Sequence, residues 1–316
     1  MRFLKALRNT MHRRGLAYAT EQTYVQWTVD FIRFHRMTHP EKMGAAEVEQ
    51  YLSHLSEDRN CSMNTQRLVL CALVFLYTHH LEKPLGELSF RFARKAQRMP
   101  EVFSHGEAMA VIEQMSGVDA LLARLLYGAG LRIAEALSLR VKDLDFERLQ
   151  ITVRNAKGNR DRVTLLPESV LDDLKHQIEV ALRLHTTDLA QGYGRVTLPY
   201  ALARKYPSAA TSAPWQFVFP SSTRCLDPKD GLRRRHHRHY STFQRELKRA
   251  IKRTGIRRRV SSHTFRHSFA TRLIETGYDI KLVQSLLGHA DIRTTEIYLH
   301  VVRNTSGAIK SPVDRT

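Results

Sequence analysis

The stretch that decides the fold runs from residue 263 to residue 298, with HTFRHSFAT at 263–271 and LLGHADIRTTEIY at 286–298. Among its side chains, we single out His263, Arg266, His289 and Tyr298 as candidates for acid, base or nucleophilic chemistry. His263 and Arg266 lie three residues apart, so on a helix they project from roughly one side. The pattern predicts a helix that presents a histidine and an arginine together, followed by a second histidine and a tyrosine.

Two upstream segments add further cations. The sequence GAGLR ends at Arg132, which we place near the start of a helix that continues through Ala136 and Leu139. Two alternating segments, 149–153 and 162–165, flank a Lys-Gly-Asn turn signal that begins with Lys157. This pattern predicts a β-hairpin with Lys157 near its turn.

Together these residue types match the needs of phosphodiester chemistry. Arginine binds two phosphate oxygens at once and never loses its charge, so Arg132 and Arg266 can form a clamp on the non-bridging oxygens. Neighbouring arginines would lower the pKa of Lys157 and make it a usable general acid. Taken alone, each arginine is more typical of a surface, and the lysine of a solvated turn.

The remaining three residues supply a nucleophile and proton transfer. Tyr298 is a candidate nucleophile, His263 can take the nucleophile's proton, and His289 can donate a hydrogen bond to a phosphate oxygen. In isolation His289 would be a helix-end cap and Tyr298 a core residue. The order of all six along the chain, with these spacings, favours metal-free cleavage and rejoining of DNA.

The charge of the chain favours a polyanionic partner. The 316 residues contain 50 Lys and Arg against 31 Asp and Glu, for a formal net charge of +19. Residues 233–259 alone hold twelve Lys or Arg and one acid. Within that run Phe243, Leu247 and Ile251 follow helical spacing, so part of it is an amphipathic helix with a basic outer face. We expect this run, including Arg234 and Arg235, to contact DNA.

Other sequence features point to a cytoplasmic protein. The three cysteines, Cys61, Cys71 and Cys225, are widely spaced and read as reduced thiols rather than as a disulfide framework or zinc site. The N-terminus lacks an apolar core of signal-peptide length, and no window approaches 18 uninterrupted apolar residues. We therefore expect no membrane association, and a bacterial protein that joins the nucleoid when bound to DNA.

The N-terminal third is predicted to be a compact helical bundle. Tyr24, Trp27, Phe31 and Phe34 form one apolar stripe of a helix that Thr20 can cap. Further helices are predicted over residues 45–55 and 65–79. We predict a DNA-binding domain at 1–88, a basic linker at 89–103 and a second domain at 104–316, which opens with a capping box at Ser104.

These motifs closely resemble the tyrosine recombinase (phage integrase) superfamily over essentially the whole chain. The resemblance is carried by GLRIAE, AKGNRDR, HTFRHSFAT and LLGHADIRTTEIY. It implies a mainly α fold with a small β-sheet, in which a SAM-like core-binding domain and a catalytic domain form a C-shaped clamp around DNA. By motif, the matching catalytic positions are Arg132, Lys157, His263, Arg266, His289 and Tyr298, with Glu135 as the acidic partner of the first arginine.

The resemblance also implies a mechanism without metal or cofactor. Tyr298 would attack the scissile phosphate to give a 3′-phosphotyrosyl link and a free 5′-hydroxyl. The 5′-hydroxyl of a partner strand would then attack that link and rejoin the DNA. Members of the family hold two duplexes in a tetramer, so a second expected partner is the protein itself, with residues 302–316 available for docking.

One departure from compact family members is informative. The chain is longer between the Lys157 hairpin and His263, with an insertion at about 188–237 that resembles the inserted region of integron integrases. Those enzymes recombine gene-cassette attachment sites presented as folded single strands, and also act on duplex integron sites. The insertion captures bases flipped out of the hairpin, and the matching positions here are Pro228, His236 and His237.

Four other interpretations stay open. A duplex recombinase of the chromosome-dimer or phage type would share the catalytic set. A type IB topoisomerase would relax DNA without exchanging partners, and a non-catalytic DNA-binding regulator would be expected to have lost Tyr298 or a clamp arginine. A metal-dependent nicking enzyme could use His236, His237 and His239, but the intervening Arg238 makes a cation site unfavourable.

Overall fold

The computed structural model describes residues 2–90, 99–156, 160–199, 202–227, 230–289 and 291–305. The chain divides into two compact units, Met1–Arg98 and Met99–Thr316. Both are dominated by helices, and the described β-structure is confined to the second unit. The predicted fold class, mainly α with small sheets, is confirmed.

The first unit is a helical bundle. Its α-helices are α1 (Arg2–Arg13), α2 (Tyr18–Phe34), α3 (Ala45–Glu57) and α4 (Met63–Phe75). A π-helical turn, Leu76–His80, follows α4. The aromatic stripe of α2 packs into the unit's core as predicted, with Phe31 fully buried. The predicted cap at Thr20 is wrong: the helix begins at Tyr18 with Ala17 before it, so Thr20 lies inside its first turn.

The second unit is built from short helices, two small sheets and long connections. Its α-helices are α5 (His105–Glu113), α6 (Gly117–Gly128), α7 (Ile133–Leu137), α8 (Leu171–Ala190), α9 (Leu202–Lys205), α10 (Tyr240–Thr254), α11 (Ser262–Glu275), α12 (Ile280–Leu287) and α13 (Arg293–Thr305). The predicted capping box is confirmed, since Ser104 Oγ accepts from the Glu107 N–H and the Glu107 carboxylate accepts from the Ser104 N–H.

The sheets lie on either side of α8 in sequence. The first sheet has the order β1 (Leu144–Asp145), β2 (Gln150–Ala156) and β3 (Arg160–Leu165), all antiparallel. The predicted hairpin is therefore confirmed in its strands, while its turn with Lys157 lies outside the described residues. The second sheet pairs β4 (Cys225–Leu226) with β5 (Arg233–Arg234).

Helix α11 lies at the centre of the second unit. It packs against both α6 and α13, and α12 packs against β3. Phe265 of α11 joins the main core, whereas Phe269 joins a smaller cluster with Val283, Leu287 and Tyr298. This arrangement brings the end of α6, the start of α7, one face of α11 and helix α13, which contains Tyr298, to one place.

Gly130, between α6 and α7, is required by this packing. Its φ is +63°, and a Cβ there would lie 2.5 Å from Cδ1 of Phe269. We expect Gly130→Ala to destabilise the protein by about 2–4 kcal/mol, combining backbone strain with overpacking. Urea unfolding measures this. Gly192→Ala is the control, because Gly192 has φ +77° but open space around it. Equal losses in the two variants would contradict the packing argument.

Candidate active site

The site begins with Arg132 and Glu135 at the start of α7. Arg132 has extended backbone just before the helix, and Glu135 lies in its first turn. The Glu135 carboxylate accepts hydrogen bonds from the backbone N–H of Arg132 at 2.8 Å and from its guanidinium at 2.7 Å. One carboxylate thus caps the helix and fixes the direction of the arginine.

The same carboxylate binds a second arginine, Arg162 of β3, which the sequence analysis missed. Nη1 and Nη2 of Arg162 donate to the two oxygens of Glu135 at 2.9 and 2.7 Å, and Nε donates to the Leu286 carbonyl at 2.9 Å. Both side chains are nearly buried. Burial alone would raise the pKa of Glu135, but its hydrogen bonds and ion pairs with Arg162 and Arg132 lower it to about 2.

Arg266 of α11 is held from two sides. Its side chain is 3% exposed, and its two terminal nitrogens donate to the Gly130 and Leu287 carbonyls, each at 2.6 Å. Nη1 also lies 3.7 Å from Oε2 of Glu135. Burial and the charge of Arg132 lower the pKa of Arg266, and Glu135 opposes them. Glu135 therefore links three arginines, two of them predicted as the phosphate clamp.

His263 lies in the first turn of α11 and is largely exposed. Partial burial of the ring and the charges of Arg132 and Arg266 lower the pKa of His263. Although His263 was predicted to take the nucleophile's proton, it forms no hydrogen bond with Tyr298, and both residues belong to the described part of the chain. The position of Lys157 cannot be compared, since residues 157–159 lie outside that part.

Tyr298 of α13 is buried, with 2% of its surface exposed. Its ring packs with Phe269 and Leu287, and its hydroxyl lies 2.7 Å from Nδ1 of His267, one turn after His263 on α11. Burial raises the pKa of Tyr298, and the charges of Arg266 and Arg132 act in the opposite direction. The hydroxyl is therefore a neutral phenol at neutral pH, in contact with a histidine and in the electrostatic field of two arginines.

His289 follows the left-handed Gly288 that ends α12. Its Nδ1 is 2.9 Å from Oγ1 of the fully buried Thr295, and its ring stacks at 6.4 Å from that of Tyr298. Burial and the charges of Arg266 and Arg132 lower the pKa of His289 to about 4. The structure thus brings Arg132, His263, Arg266, His289 and Tyr298 into one electrostatically coupled region, whose two arginines would attract an anion.

The insertion forms a walled aromatic pocket next to this region. A cavity of about 380 Å³ is lined by Glu135 and Arg140 together with Trp215, Phe217 and His236. Arg140 is held by the carbonyls of Trp215 and Thr197, and its guanidinium lies 4.6 Å from the Phe217 ring centre. Trp215 and Phe217 were not among the predicted site residues, although the aromatic residues of the WQFVF segment at 215–219 were a usable signal.

The two insertion histidines lie side by side in that pocket. The rings of His236 and His237 are 4.1 Å apart, and both contact Phe217 at about 5 Å between ring centres. Burial lowers the pKa of each ring, and for His236 the neighbouring His237 lowers it further. Two neutral rings beside Phe217 offer flat faces for stacking. Pro228, predicted in the same set, lies outside the described residues.

Arg234 and Arg235 are both held by carboxylates of the second unit. The Arg235 guanidinium donates to both carboxylate oxygens of Asp188 and to the Ser221 and Ser222 carbonyls. Arg234 binds Asp230 and Asp227. Arg234 therefore pairs with carboxylates nearby in the sequence, whereas Arg235 links the end of the insertion to Asp188, 47 residues earlier. The predicted contact of Arg234 and Arg235 with DNA stays a prediction.

The described residues contain neither a candidate metal site nor a candidate membrane span. No group of three or more His, Cys, Asp or Glu side chains there is arranged to hold a metal ion. Within the same ranges, no helix has the length and apolar character needed to cross a membrane.

Comparison with known proteins identifies the family to which this chain belongs. The sequence profile of the phage integrase family matches residues 102–304, and that of the phage integrase N-terminal SAM-like domain matches residues 3–87. An integrase/recombinase of Escherichia coli is 44% identical over 315 residues, covering 99% of this chain and 94% of the relative. A tyrosine recombinase of Thermosipho africanus is 32% identical, covering 70% of this chain and 63% of the relative.

Solved structures agree at the level of the fold. XerH recombinase bound to palindromic difH substrate superposes with a TM-score of 0.58 at 20% identity, covering 92% of this chain and 79% of that one. A lambda integrase dimer bound to a COC′ core site gives 0.59 at 16% identity, covering 99% and 98%. With the profile match and the relatives, these findings show that the chain belongs to the phage integrase family, the tyrosine recombinases that break and rejoin DNA.

Proposed function

We propose that this protein is a site-specific recombinase of the integron integrase type, which excises and integrates gene cassettes through a 3′-phosphotyrosine intermediate. The observation that carries the chemistry is the buried Tyr298 hydroxyl, which lies 2.7 Å from Nδ1 of His267 and whose pKa is raised by burial against the opposing charges of Arg266 and Arg132. In this proposal the two arginines bind the scissile phosphate and Tyr298 attacks it. His289 donates to a phosphate oxygen, and Lys157 protonates the leaving 5′-oxygen.

The preference for folded single strands is supported by the aromatic pocket of the insertion. Its volume of about 380 Å³ falls within the range of small-ligand sites. It is lined by Trp215, Phe217 and two neutral histidine rings, and Lys142 Nζ lies 3.7 Å from the Trp215 ring centre. Flat rings with a nearby cation suit a base that has left the stack, whatever its identity.

Charge and helix arrangement support DNA as the partner. The chain carries a net charge of +19, and α10 presents a basic outer face while Phe243 and Leu247 are buried. We propose that the first unit and α10 track the DNA backbone. We further propose that a synaptic tetramer assembles on two attachment sites, as in the family, and that the protein works in the bacterial cytoplasm.

Covalent trapping tests the proposed function. Purified protein is mixed in EDTA with a labelled cassette-site hairpin that carries extrahelical bases, and separately with a matched duplex that lacks them. We expect a denaturant-resistant adduct that forms faster on the hairpin. Equal adduct on both substrates would indicate a duplex recombinase, and no adduct on either would favour a DNA-binding regulator.

His236→Ala combined with His237→Ala is expected to weaken hairpin binding selectively. Stacking is worth about 1–3 kcal/mol per base, so Kd for the bulged hairpin should rise about 5- to 150-fold, while Kd for plain duplex changes less than about twofold. Titration of both labelled DNAs at one salt concentration measures this. His176→Ala, an exposed histidine of α8, is the control. Equal weakening on both DNAs would refute base capture.

A further inference from the structure

His267 makes the contact with the nucleophile that was predicted for His263. The two histidines are four residues apart on α11, so they share a face, but His267 is one turn deeper. Its Nδ1 is 2.7 Å from the Tyr298 hydroxyl oxygen, and the two ring centres are 5.6 Å apart. His267 therefore touches a reacting atom, whereas His263 faces outward near Arg132 and Arg266.

We propose that His267 accepts the hydroxyl proton of Tyr298 when that oxygen attacks the scissile phosphate. This inference rests on the proposed function. In the cleavage step the bond from the Tyr298 oxygen to phosphorus forms and the bond from phosphorus to the 5′-oxygen breaks. The Tyr298 proton moves to Nδ1 of His267, and the leaving 5′-oxygen takes a proton from the general acid. Rejoining runs the same transfers backwards, so no proton is gained or lost.

The charges around His267 make this transfer depend on bound DNA. The groups that face it are His263 and Arg266 on its own helix, Tyr298 on α13, and His289 before α13. Burial and the first two of these lower the pKa of His267 to about 4, so the ring is neutral and able to accept a proton. A phosphodiester anion in the clamp offsets the cationic field, which makes His267 more basic only when substrate is present.

Adduct formation in single turnover tests the proposal. His267→Asn keeps a polar atom near the position of Nδ1 but removes the base, so we expect the rate of adduct formation to fall about 10²-fold or more, with hairpin affinity unchanged. His176→Asn is the matched control and should react like the wild type. A His267→Asn rate within about twofold of wild type would overturn the proposal, whereas a wild type without adduct would overturn the proposed function itself.

A second measurement separates proton transfer from a structural role. Tyr298→Phe protein is given DNA with a 3′-p-nitrophenyl phosphate beside a free 5′-hydroxyl, so joining releases p-nitrophenolate and involves no tyrosine proton. In that background we expect His267→Asn to join strands within about twofold of its parent, while Arg132→Ala abolishes joining. If His267→Asn loses joining as severely as it loses adduct formation, it acts by supporting the clamp and the proposal fails.

Discussion

Tyr298→Phe is expected to abolish covalent attachment to DNA while leaving binding intact. Phenylalanine keeps the ring that packs with Phe269 and Leu287, so only the hydroxyl beside His267 is lost. With no nucleophile, adduct formation should fall by at least about 10⁴-fold, below detection. The basic surface is unchanged, so Kd for the hairpin should stay within about threefold of wild type.

The measurement is a denaturing gel of labelled hairpin DNA after mixing with wild type or variant. Tyr278→Phe is the matched control, since Tyr278 is 53% exposed and lies beyond the end of α11. It should form adduct at the wild-type rate. Adduct from Tyr298→Phe protein would mean that another side chain is the nucleophile.

Glu135→Gln is expected to damage both stability and cleavage. Glutamine has nearly the same shape but no charge, so Arg162 and Arg266, which are 6% and 3% exposed, lose their shared carboxylate. Breaking a buried pair in this way typically costs about 3–5 kcal/mol, because an uncompensated charge is left behind. The clamp should lose its alignment as well, since Arg132 depends on the same carboxylate.

The pH dependence of stability provides a direct check of Glu135. Its pKa is about 2 in the folded protein against an ordinary value of 4.5, so its contribution is complete above about pH 4.5 and disappears as the pH falls toward 2. The contribution amounts to about 3 kcal/mol. Buried histidines with lowered pKa also destabilise the fold in acid, but they are present in both proteins and cancel in the difference.

Urea unfolding of wild type and Glu135→Gln between pH 3 and pH 7 measures this contribution. The gap between the two free energies of unfolding should be large at pH 7 and shrink toward pH 3. Glu113→Gln, at an exposed position near the end of α5, is the control and should follow the wild type. A constant gap across the range would contradict the assigned role of the carboxylate.

Much of the fold and part of the site could be predicted from local sequence. Apolar spacing predicted α2, α3 and α10, because a helix must bury one face. The spacing of His263 and Arg266 predicted a shared helix, and the structure places both on α11 near Arg132. The assignment of these residues to catalysis stays a prediction, and so do the roles of Lys157 and Pro228.

Contacts between distant segments could not be predicted in the same way. Arg234 and Arg235 belong to a basic run that suggested DNA contact, yet Asp188, 47 residues before Arg235, holds the latter. His263 was the predicted proton acceptor for Tyr298. The histidine whose Nδ1 lies 2.7 Å from the hydroxyl is instead His267, one turn further along α11. Both contacts depend on which segments pack together in the folded chain. Neither a run of charged residues nor the order of residues along the sequence contains that information.

Strand β3 shows most clearly what sequence and tertiary structure each determined. Alternation in the sequence determined that Arg162 and Thr164 share one face and Val163 and Leu165 the other. Hydrophobicity alone would bury the second pair, but those two are 47% and 45% exposed while Arg162 and Thr164 are buried. Only the tertiary structure decided this orientation, because the Glu135 carboxylate and the Leu286 carbonyl satisfy the buried guanidinium, and the Ala129 carbonyl satisfies the threonine hydroxyl.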